Sequence, residues 1–506
     1  MRPLTSWHPP LSPLLRGATL VAVASLAACS TDSTPTDPSG PAARDGPTSG
    51  QPFPSAAARP NVVVIMSDDQ SVRDMQVMSQ TRKLVGAAGV TFRNSTVTYS
   101  LCCPSRATLL TGQYPHNHGV RSNQPPDGGV TALDQTNTLP LWLQEAGYVT
   151  GHIGKYLNGY GQVDPLEVPP GYTEWYGSID PLAYEYYGYV LNENGILVTY
   201  GSTPDQYQAD VYTAKAVDFI GRRGPAAATG GEPFFLFVTY LAPHRLNTGD
   251  PAFRKAVPAP RHQGRFAGEL LPQSPAFNEA DMSDKPASMR RRPLMTAAQV
   301  TELGAAHRAL LESLLAVDEG VAAIVNALQG AGVLQNTLVV YTSDNGWFQG
   351  EHRIVFGKVL PYEPAVKVPL LIRGPGVTPR RNVGAPVANI DLAPTIVAAA
   401  GASARRTMDG RSLWPLLQGQ ATWATPRHVL VEDSPLGGAA SVFWSIRKAK
   451  FVYTEYANGD REFYDLAKDS AQVASRHADP AYAAIRLRLA KRLAAMKTCR
   501  GPTACW

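Results

Sequence analysis

Charge is scarce in this sequence, and the patterns that would indicate a nucleic-acid-binding protein are missing. Charged residues make up 17% of the 506 residues, and the formal net charge is only +5. There is no long basic block, no basic helix and no zinc-finger pattern, so the sequence gives no support for a nucleic-acid partner. The apolar run near the N-terminus, residues 17–28, is too short to span a bilayer. Hydrophobic residues still make up 44% of the chain, which predicts a globular protein with a large core.

Residues 1–29 are typical of a targeting segment rather than of a folded domain. Arg2 and Arg16 place positive charge before the apolar run, which ends in Leu-Ala-Ala-Cys at residues 26–29. This ending resembles a bacterial lipobox, in which a signal peptidase cuts before the cysteine and the thiol receives a lipid. We therefore expect an exported lipoprotein, at the cell surface or in the periplasm, that meets the membrane only through its anchor at Cys29. The alternative is an ordinary secretory signal cut near Ala28, which would give a secreted protein.

Export also bears on the cysteines at the other end of the chain. Cys499 and Cys505 lie close together near the C-terminus. In an oxidising compartment we expect them to form a small disulfide loop, the alternative being two free thiols.

Strands and helices are predicted to alternate over residues 61–424, after a linker rich in Ser, Thr, Pro, Gly and Ala at residues 30–60. This alternation predicts an α/β fold with a large, mostly parallel sheet and helices on both of its faces. An Ala/Leu-rich segment at 299–328 has helical spacing and is expected to be bent or broken. Apolar runs indicate strands at 62–66, 148–153, 233–240, 337–342 and 366–372.

The pattern changes in the last part of the chain, residues 425–506. Short strands are predicted there, and Asn458-Gly459 gives a strong hairpin signal. A helix is predicted at 481–496. These residues should form a small antiparallel sheet with a helix, appended to the main domain. The predicted strands are 429–432, 442–447, 451–456 and 462–464.

Polar clusters directly follow four of the strands predicted in the main domain. In open α/β sheets the ligand lies beyond the carboxyl ends of the strands, so these clusters should meet at one edge of the sheet. Their carboxylate and amide oxygens suit a hard cation, Ca²⁺ or Mg²⁺, rather than zinc. Taken singly, each acidic pair could equally be a helix cap or a plain turn. The clusters are Asp68 with Asp69, Lys155, His244, and Asp344 with Asn345.

The most specific signal is Cys-Cys-Pro-Ser-Arg at residues 102–106, followed by Thr111-Gly112. It resembles the sulfatase signature, in which a cysteine two residues before the proline is oxidised to formylglycine by a dedicated generating enzyme. The spacing selects Cys102, and Cys103 is expected to be a small buried side chain. The rival interpretation is a vicinal disulfide or a metal-binding thiol pair.

Resemblance to the sulfatase family extends over most of residues 61–420, which implies the alkaline phosphatase-like sulfatase fold. Matching segments include Asn-Val-Val-Val-Ile-Met-Ser-Asp-Asp at 61–69 and Tyr-Thr-Ser-Asp-Asn-Gly at 341–346. Tyr-Pro-His-Asn-His at 114–118 and Gly-Lys-Tyr-Leu-Asn at 154–158 resemble the N-acetylglucosamine-6-sulfatases in particular. That subgroup implies a sulfated glycan, or a small sulfate ester, as substrate.

The resemblance implies a metal site and a nucleophile. Asp68, Asp69, Asp344, Asn345 and the formylglycine derived from Cys102 would bind one Ca²⁺, with Mg²⁺ as a substitute. The hydrated formylglycine has two hydroxyl groups. One attacks sulfur with help from the metal, and the other later expels sulfate by re-forming the aldehyde.

The same resemblance implies how the basic residues act. Arg106 would hold the hydrated formylglycine and offset its charge. Lys155 and Lys358 would contact the sulfate oxygens, where charge is concentrated in the transition state. His244 would contact sulfate or protonate the leaving alcohol. The helix beginning at Pro104 would point its N-terminus at the anion.

Some positions depart from the family pattern or are weaker candidates. Many sulfatases have a histidine shortly after the lysine matched by Lys155, but here Leu157 and Asn158 stand there, which puts more weight on His244. Glu363 is expected to orient a lysine, being near Lys358. His352, and less strongly His116 and His118, are candidates for substrate contact. The remaining histidines are expected to be structural: His152, His262, His307, His428 and His477.

Three alternatives to a glycan sulfatase remain. An arylsulfatase would share the whole site. The second alternative is a phosphonate or phosphate ester hydrolase of the same superfamily. The phosphatases of that superfamily bind two zinc ions, and we do not find the second set of ligands in this sequence. A non-catalytic surface lipoprotein that binds glycans would not need the intact motif. Substrate specificity is expected to lie in the loops at 164–200 and 251–293.

Overall fold

The computed structural model describes residues 59–247, 254–433 and 442–506. The predicted signal segment, Cys29 and nearly all of the predicted linker lie outside these ranges. No helix in the described part is long and apolar enough to cross a membrane.

Twelve strands form the main part of the structure over the described residues. Ten of them make one sheet, and β3 with β12 forms a small separate ladder. The strands are β1 (Asn61–Ser67), β2 (Val90–Phe92), β3 (Ser95–Thr96), β4 (Val149–Gly154), β5 (Glu174–Ser178), β6 (Val190–Glu193), β7 (Ile196–Thr199), β8 (Phe234–Thr239), β9 (Thr337–Ser343), β10 (Leu370–Arg373), β11 (Arg381–Val383) and β12 (Val387–Ala388).

The large sheet has the order β11-β2-β10-β9-β1-β8-β4-β5-β6-β7. Its centre is parallel: β1 pairs with both β8 and β9, and β4 pairs with β8 and β5. Antiparallel strands flank that centre, since β10 runs against β9 on one side and β6 against β5 on the other. The predicted mostly parallel sheet is therefore confirmed.

Both faces of the central strands are covered. Val63 and Ile65 of β1 join the core that contains the helices Gln208–Ala228 and Ala297–Gly330, which pack on each other. Val62 and Val64 point to the opposite face and are also fully buried. Further helices contact one another elsewhere in the domain: Cys102–Thr111, Leu139–Glu145 and Leu392–Ala400.

The predicted break in the long helix is wrong, because Ala297–Gly330 is one continuous helix of 34 residues. Thr296 caps its start, with its hydroxyl accepting from the backbone N–H of Gln299. A side chain at Gly320 would collide with Thr213 and Tyr240. The glycine therefore allows close packing against the neighbouring helix rather than breaking its own.

The C-terminal part forms the predicted small antiparallel sheet, in the order β13-β14-β15-β16. The helix Ala483–Met496 packs on β14 and β15. Leu489 and Leu493 of this helix share a hydrophobic cluster with Tyr114 and Ile390 of the main part. We predicted a domain boundary between residues 424 and 425, and this boundary stays a prediction. The strands are β13 (Val429–Glu432), β14 (Phe443–Lys448), β15 (Phe451–Tyr456) and β16 (Arg461–Asp465).

The expected disulfide loop is present. Cys499 and Cys505 are bonded, and a short helix, Gly501–Ala504, lies between them.

Candidate active site

The polar clusters predicted at the strand ends come together at the carboxyl edge of the parallel strands. Asp68 and Asp69 follow β1, Lys155 follows β4, His244 lies beyond β8, and Asp344 with Asn345 follows β9. Asp69 has a left-handed backbone with φ 65°, a conformation that aspartate tolerates better than most residues. This turn lets two adjacent aspartates reach the same site.

Cys102 begins the helix Cys102–Thr111, and the whole helix is buried. Gly112 ends it in the left-handed conformation. The Cys102 Sγ lies 3.5 Å from Asp68 Oδ1 and 2.8 Å from Lys358 Nζ. Burial and the nearby Asp68 charge raise the pKa of the Cys102 thiol to about 12. An unmodified thiol would therefore be a weak nucleophile at neutral pH, because the thiolate is the reactive form.

Arg106 lies one turn along the same helix and joins two carboxylates. Its Nη2 donates to Asp68 Oδ2 at 3.1 Å, and its Nε donates to Asp344 Oδ2 at 2.8 Å. Lys155 Nζ also donates to Asp68 Oδ2. Burial by itself would raise the pKa of Asp68, but the surrounding cations, led by Lys155, hold that pKa well below its usual range.

The negative charges of Asp69 and Asp344 are less strongly compensated by nearby cations than that of Asp68. Burial raises the pKa of Asp69 against the opposing effect of Lys358, and burial together with the Asp68 charge raises that of Asp344. Asp344 Oδ1 accepts from the backbone N–H of Asp69 at 3.2 Å, and Asn345 Nδ2 donates to Asp69 Oδ1 at 2.5 Å. Lys358 Nζ donates to Asp69 Oδ1 and lies 3.4 Å from Asn345 Oδ1.

His244 closes the cluster on the side of β8. Its Nδ1 lies 2.5 Å from the carbonyl oxygen of Arg245, and since a carbonyl only accepts, Nδ1 carries the proton. Its Nε2 lies 3.4 Å from Asp69 Oδ2. Burial, together with the positive charges of Lys155 and Lys358, lowers the pKa of His244 to about 3 against the opposing effect of Asp68.

These side chains fit a bound cation. Asp69 Oδ2 is buried and has no hydrogen-bond partner in the described part of the protein. One ligand atom from each of Asp68, Asp69, Cys102 and His244 lies within 4.8 Å of the others. A cation placed among these atoms would satisfy an oxygen that is otherwise costly to bury. With the carboxylates and the Asn345 amide oxygen, the donor set is mostly oxygen, as Ca²⁺ and Mg²⁺ prefer.

Two residues near the motif behave as the sequence suggested. Cys103 is fully buried, and burial raises the pKa of its thiol to about 12. Asn158 stands where relatives often have a histidine. Its Nδ2 donates to the hydroxyl of Tyr184, and its Oδ1 is buried without a partner among the described residues.

Sequence reasoning missed two aromatic walls of the site. The ring of Tyr184 lies 4.2 Å from Lys155 Nζ and 5.0 Å from the ring of His244. The ring of Trp347 lies 5.7 Å from Lys358 Nζ and 6.5 Å from the ring of His244. Tyr184 falls in the loop at 164–200 that was expected to set specificity, and Trp347 lies close after Asp344 and Asn345. Proximity to motif residues was thus the available signal.

Each of the weaker histidine candidates has a hydrogen-bond partner within the protein. His352 is fully buried, and its Nδ1 lies 2.6 Å from Glu279 Oε2. His118 Nε2 lies 3.1 Å from the Thr108 hydroxyl. His116 lies between Glu432 and the carbonyl oxygen of Cys499.

Glu363 does orient a basic residue, but a different one from that expected. Its carboxylate pairs with Lys367 at 3.3 Å and with Arg447, and among the described residues no pair with Lys358 is found. The helix Glu363–Val366 places Lys367 one turn away, whereas Lys358 turns toward Asp69.

Comparison with known proteins agrees with this architecture. Residues 60–402 match the sulfatase family, and residues 350–499 match the family described as N-sulphoglucosamine sulphohydrolase, C-terminal. The chain is 37% identical over 387 residues to N-acetylglucosamine-6-sulfatase of Homo sapiens, a match covering 74% of this chain and 67% of the human protein.

Two other similarities bear on export and fold. An extracellular sulfatase homolog of Drosophila melanogaster is 34% identical over 71% of this chain, which spans only 31% of that protein. A solved structure in complex with its substrate D-glucosamine-2-N,6-O-disulfate shares the fold with a TM-score of 0.70 and 24% identity. That alignment covers 86% of this chain and 97% of the other.

The large sheet with its small C-terminal sheet is an alkaline phosphatase-like architecture. The chain belongs to the sulfatase family and is a sulfuric ester hydrolase.

Proposed function

We propose that this enzyme removes 6-O-sulfate from N-acetylglucosamine or a closely related glycan. The proposal includes formylglycine at position 102, made by a generating enzyme, and one Ca²⁺, or Mg²⁺, beside it. The observation that carries it is the position of Cys102. This residue starts a buried helix, and its Sγ contacts Asp68 and Lys358 inside the converged cluster. The Sγ stands here for the formylglycine oxygen.

The metal would be held by oxygens of Asp68, Asp69, Asp344 and Asn345 together with residue 102. When bound, it would supply Lewis acidity that makes the nucleophilic hydroxyl easier to deprotonate. Arg106 keeps Asp68 and Asp344 in place by donating to both.

The sulfate group would be met by positive charge from two sides. Lys155 is held against the ring of Tyr184 and Lys358 beside that of Trp347, and both ammonium groups lie next to the aspartates of the site. The first turn of the helix Cys102–Thr111 adds the positive end of its dipole. Fixed donors of this kind stabilise charge that grows on the sulfate oxygens in the transition state.

His244 would serve the leaving alcohol or a sulfate oxygen. Since Nδ1 donates to the Arg245 carbonyl, Nε2 is the ring atom left to meet the substrate. Because Nδ1 holds the hydrogen of the neutral ring, Nε2 must take up a proton from solvent, favoured by the negative charge of the bound sulfate, before it can protonate the alcohol. A sugar alcohol is a poor leaving group, so this proton transfer matters more for a sugar sulfate than for an aryl sulfate.

The test begins with peptide mass spectrometry of protein made together with a formylglycine-generating enzyme. We expect an aldehyde in place of the thiol at Cys102 and an unmodified Cys103, which serves as the internal control. Modification of Cys103 instead would overturn the assignment. Cys102→Ala should lose nearly all turnover and keep the thermal unfolding midpoint.

Substrate and metal are tested on the same preparation. We expect hydrolysis of N-acetylglucosamine 6-sulfate, slower turnover of an aryl sulfate, and one calcium per chain. A preference for the aryl ester would indicate an arylsulfatase. Hydrolysis of a phosphonate monoester or phosphate diester with two zinc ions per chain would support the phosphatase-like alternative. Binding of sulfated glycans with no turnover would indicate a non-catalytic surface protein.

Export is part of the proposal. We infer lipid attachment at Cys29 and a tether over residues 30–60, which supports access to extracellular glycans. Mass spectrometry of the N-terminal peptide should show a lipidated cysteine, and Cys29→Ala should move the protein from the membrane fraction to the soluble one. If the wild-type protein is soluble and cut near Ala28, the lipid anchor is contradicted and the protein is secreted instead.

A further inference from the structure

A narrow cleft opens directly beside the reaction centre. Asp69 and Trp347, which belong to the site already described, also line this cleft. It continues toward the segment just after His244 and toward the long helix Ala297–Gly330. Its other lining residues include Arg245, Arg254, Lys255, His307, Gln349 and Phe356.

Arg245 is held in the cleft by two aromatic rings. Its guanidinium carbon lies 5.5 Å from the ring centre of Trp347 and 5.1 Å from that of Phe356. No carboxylate among the described residues forms an ion pair with it. A guanidinium that stacks on aromatic rings keeps its in-plane N–H donors available for a planar or bidentate partner.

Two buried polar side chains lie deeper in the same cleft. His307 and Gln349 are only 1% and 2% exposed, and His307 Nδ1 lies 2.6 Å from Gln349 Oε1. The Gln349 amide is directed at the buried carboxylate of Asp74, and His307 Nε2 is buried without a hydrogen-bond partner in the described part of the chain. Because His307 Nδ1 donates to Gln349 Oε1, Nε2 can only accept, so this atom favours a hydroxyl or amide donor of the sugar, and the anion must be met by the arginine.

The balance of charge around the cleft is positive. Arg245, Arg254 and Lys255 are the basic residues that line it, and Asp69 is the acidic one. The Asp69 charge is already met by Lys358. An anionic group is therefore the ligand class that this lining favours.

We propose that this cleft binds a second sulfate group on the same glycan whose 6-O-sulfate is cleaved, with Arg245 as the specificity-determining residue. The inference rests on the proposed function and deepens it, since it selects multiply sulfated sugars. Arg245 directly follows His244 in the chain. A substrate that meets His244 at its scissile ester therefore brings its neighbouring substituents within reach of the guanidinium.

Turnover gives the first test. The kcat/KM values of the wild type, Arg245→Gln and the control Arg93→Gln are compared on N-acetylglucosamine 6-sulfate and on glucosamine 2-N,6-O-disulfate. Arg93 is an exposed arginine just after β2, which is separated from the site strand β9 by β10. Its replacement removes the same charge as Arg245→Gln from a position outside the site. Arg245→Gln should lower kcat/KM for the disulfate about 10-fold to 10²-fold, as expected for a charge-assisted hydrogen bond, and change the monosulfate value little.

Binding gives a second test that does not depend on turnover. Cys102→Ala and Cys102→Ala/Arg245→Gln are titrated calorimetrically with both sugars. The single variant should bind the disulfate more tightly than the monosulfate, and the double variant should lose that difference.

The outcomes separate the two proposals. Equal losses of kcat/KM on both sugars in Arg245→Gln would mean that Arg245 acts on the reaction centre. Equal affinities of Cys102→Ala for the two sugars would show that the cleft does not bind a second sulfate. Either result overturns the inference. Failure of the wild type to hydrolyse any 6-O-sulfated hexosamine would contradict the proposed function, while the calorimetric comparison would still decide the subsite.

Discussion

Arg106 shows how one buried side chain organises the whole site. Its guanidinium donates to Asp68 and Asp344 and also to the backbone carbonyl oxygens of Lys155 and Tyr156. It thereby connects the segments that follow β1, β4 and β9. Removing it would leave two buried carboxylates without their shared partner, which typically costs about 3–5 kcal/mol when a buried pair is broken. The residue is therefore as important for positioning as for charge.

At the same scale, His244→Ala should slow hydrolysis of N-acetylglucosamine 6-sulfate about 10²-fold more than hydrolysis of an aryl sulfate. The reason is that a phenol leaves readily without protonation, whereas a sugar alcohol does not. The measurement is kcat for both esters in the wild type, His244→Ala and His244→Gln.

His477→Ala is the control, since this histidine lies in the C-terminal part, away from the site. His244→Gln should stay slow on the sugar ester because an amide cannot transfer a proton. Equal losses on the two esters would mean that His244 mainly binds sulfate.

At the scale of elements, strand ends set the geometry of the site. Gly154 ends β4 with φ 104°, and Lys155 follows with its backbone N–H donating to the carbonyl oxygen of Thr239 at 3.1 Å. The strand can come this close to β8 only because position 154 carries no side chain. The position of the Lys155 ammonium therefore depends on the absence of a side chain at Gly154.

Gly154→Ala should destabilise the protein and reduce turnover together. The new Cβ would overlap the carbonyl oxygen of Thr239, and overpacking of this kind typically costs about 1–3 kcal/mol. Thermal unfolding and kcat/KM are the measurements. Gly188→Ala is the matched control, because Gly188 also has positive φ, 68°, but open space around it. Similar effects of the two variants would show that backbone strain, not the contact with Thr239, is what matters.

The disulfide loop is a second element with a testable role. Cys499→Ser/Cys505→Ser should lower the free energy of unfolding by about 2 kcal/mol, the loop-entropy value for so short a loop. The carbonyl oxygen of Cys499 accepts from His116 and Asn117, so the loop also ties the C-terminus to the segment after the Cys102 helix.

Denaturant unfolding with and without a reductant measures this effect. Reductant should destabilise the wild type and leave the double variant unchanged, while KM should shift little. An unchanged midpoint in the double variant would show that the loop does not stabilise the fold.

At the scale of the whole molecule, the charged site lies directly against the hydrophobic core. The central strands are fully buried, and the charged cluster lies directly at their ends. Three buried carboxylates, those of Asp68, Asp69 and Asp344, must be compensated there. A bound cation should therefore stabilise the entire fold.

Ca²⁺ at a hundred times its dissociation constant should raise the free energy of unfolding by about 2.7 kcal/mol. Thermal unfolding in calcium and in a chelator measures the difference. Asp344→Asn, which keeps the shape and removes one charge, should need more calcium for the same shift. Full activity and an unchanged midpoint after exhaustive chelation would contradict a metal site.

Sequence patterns were sufficient for the centre of the large sheet, but they did not predict the flanking strands β2, β5, β6, β7 and β11. Long β-branched runs such as the one in β1 have few alternatives to a buried strand, and parallel strands bring their carboxyl ends to one edge. The expected break in the long helix is not found, and the close packing of Gly320 against Thr213 and Tyr240 depends on neighbours that helical spacing does not reveal.

By itself, the sequence determined which residues meet at the strand ends and which cysteine stands in the signature, because both depend on local order along the chain. The tertiary structure alone decided contacts between distant segments. It paired Glu363 with Arg447, and it placed Trp347 and Phe356 against Arg245. Such contacts depend on the relative placement of whole elements, and no short-range periodicity encodes that placement.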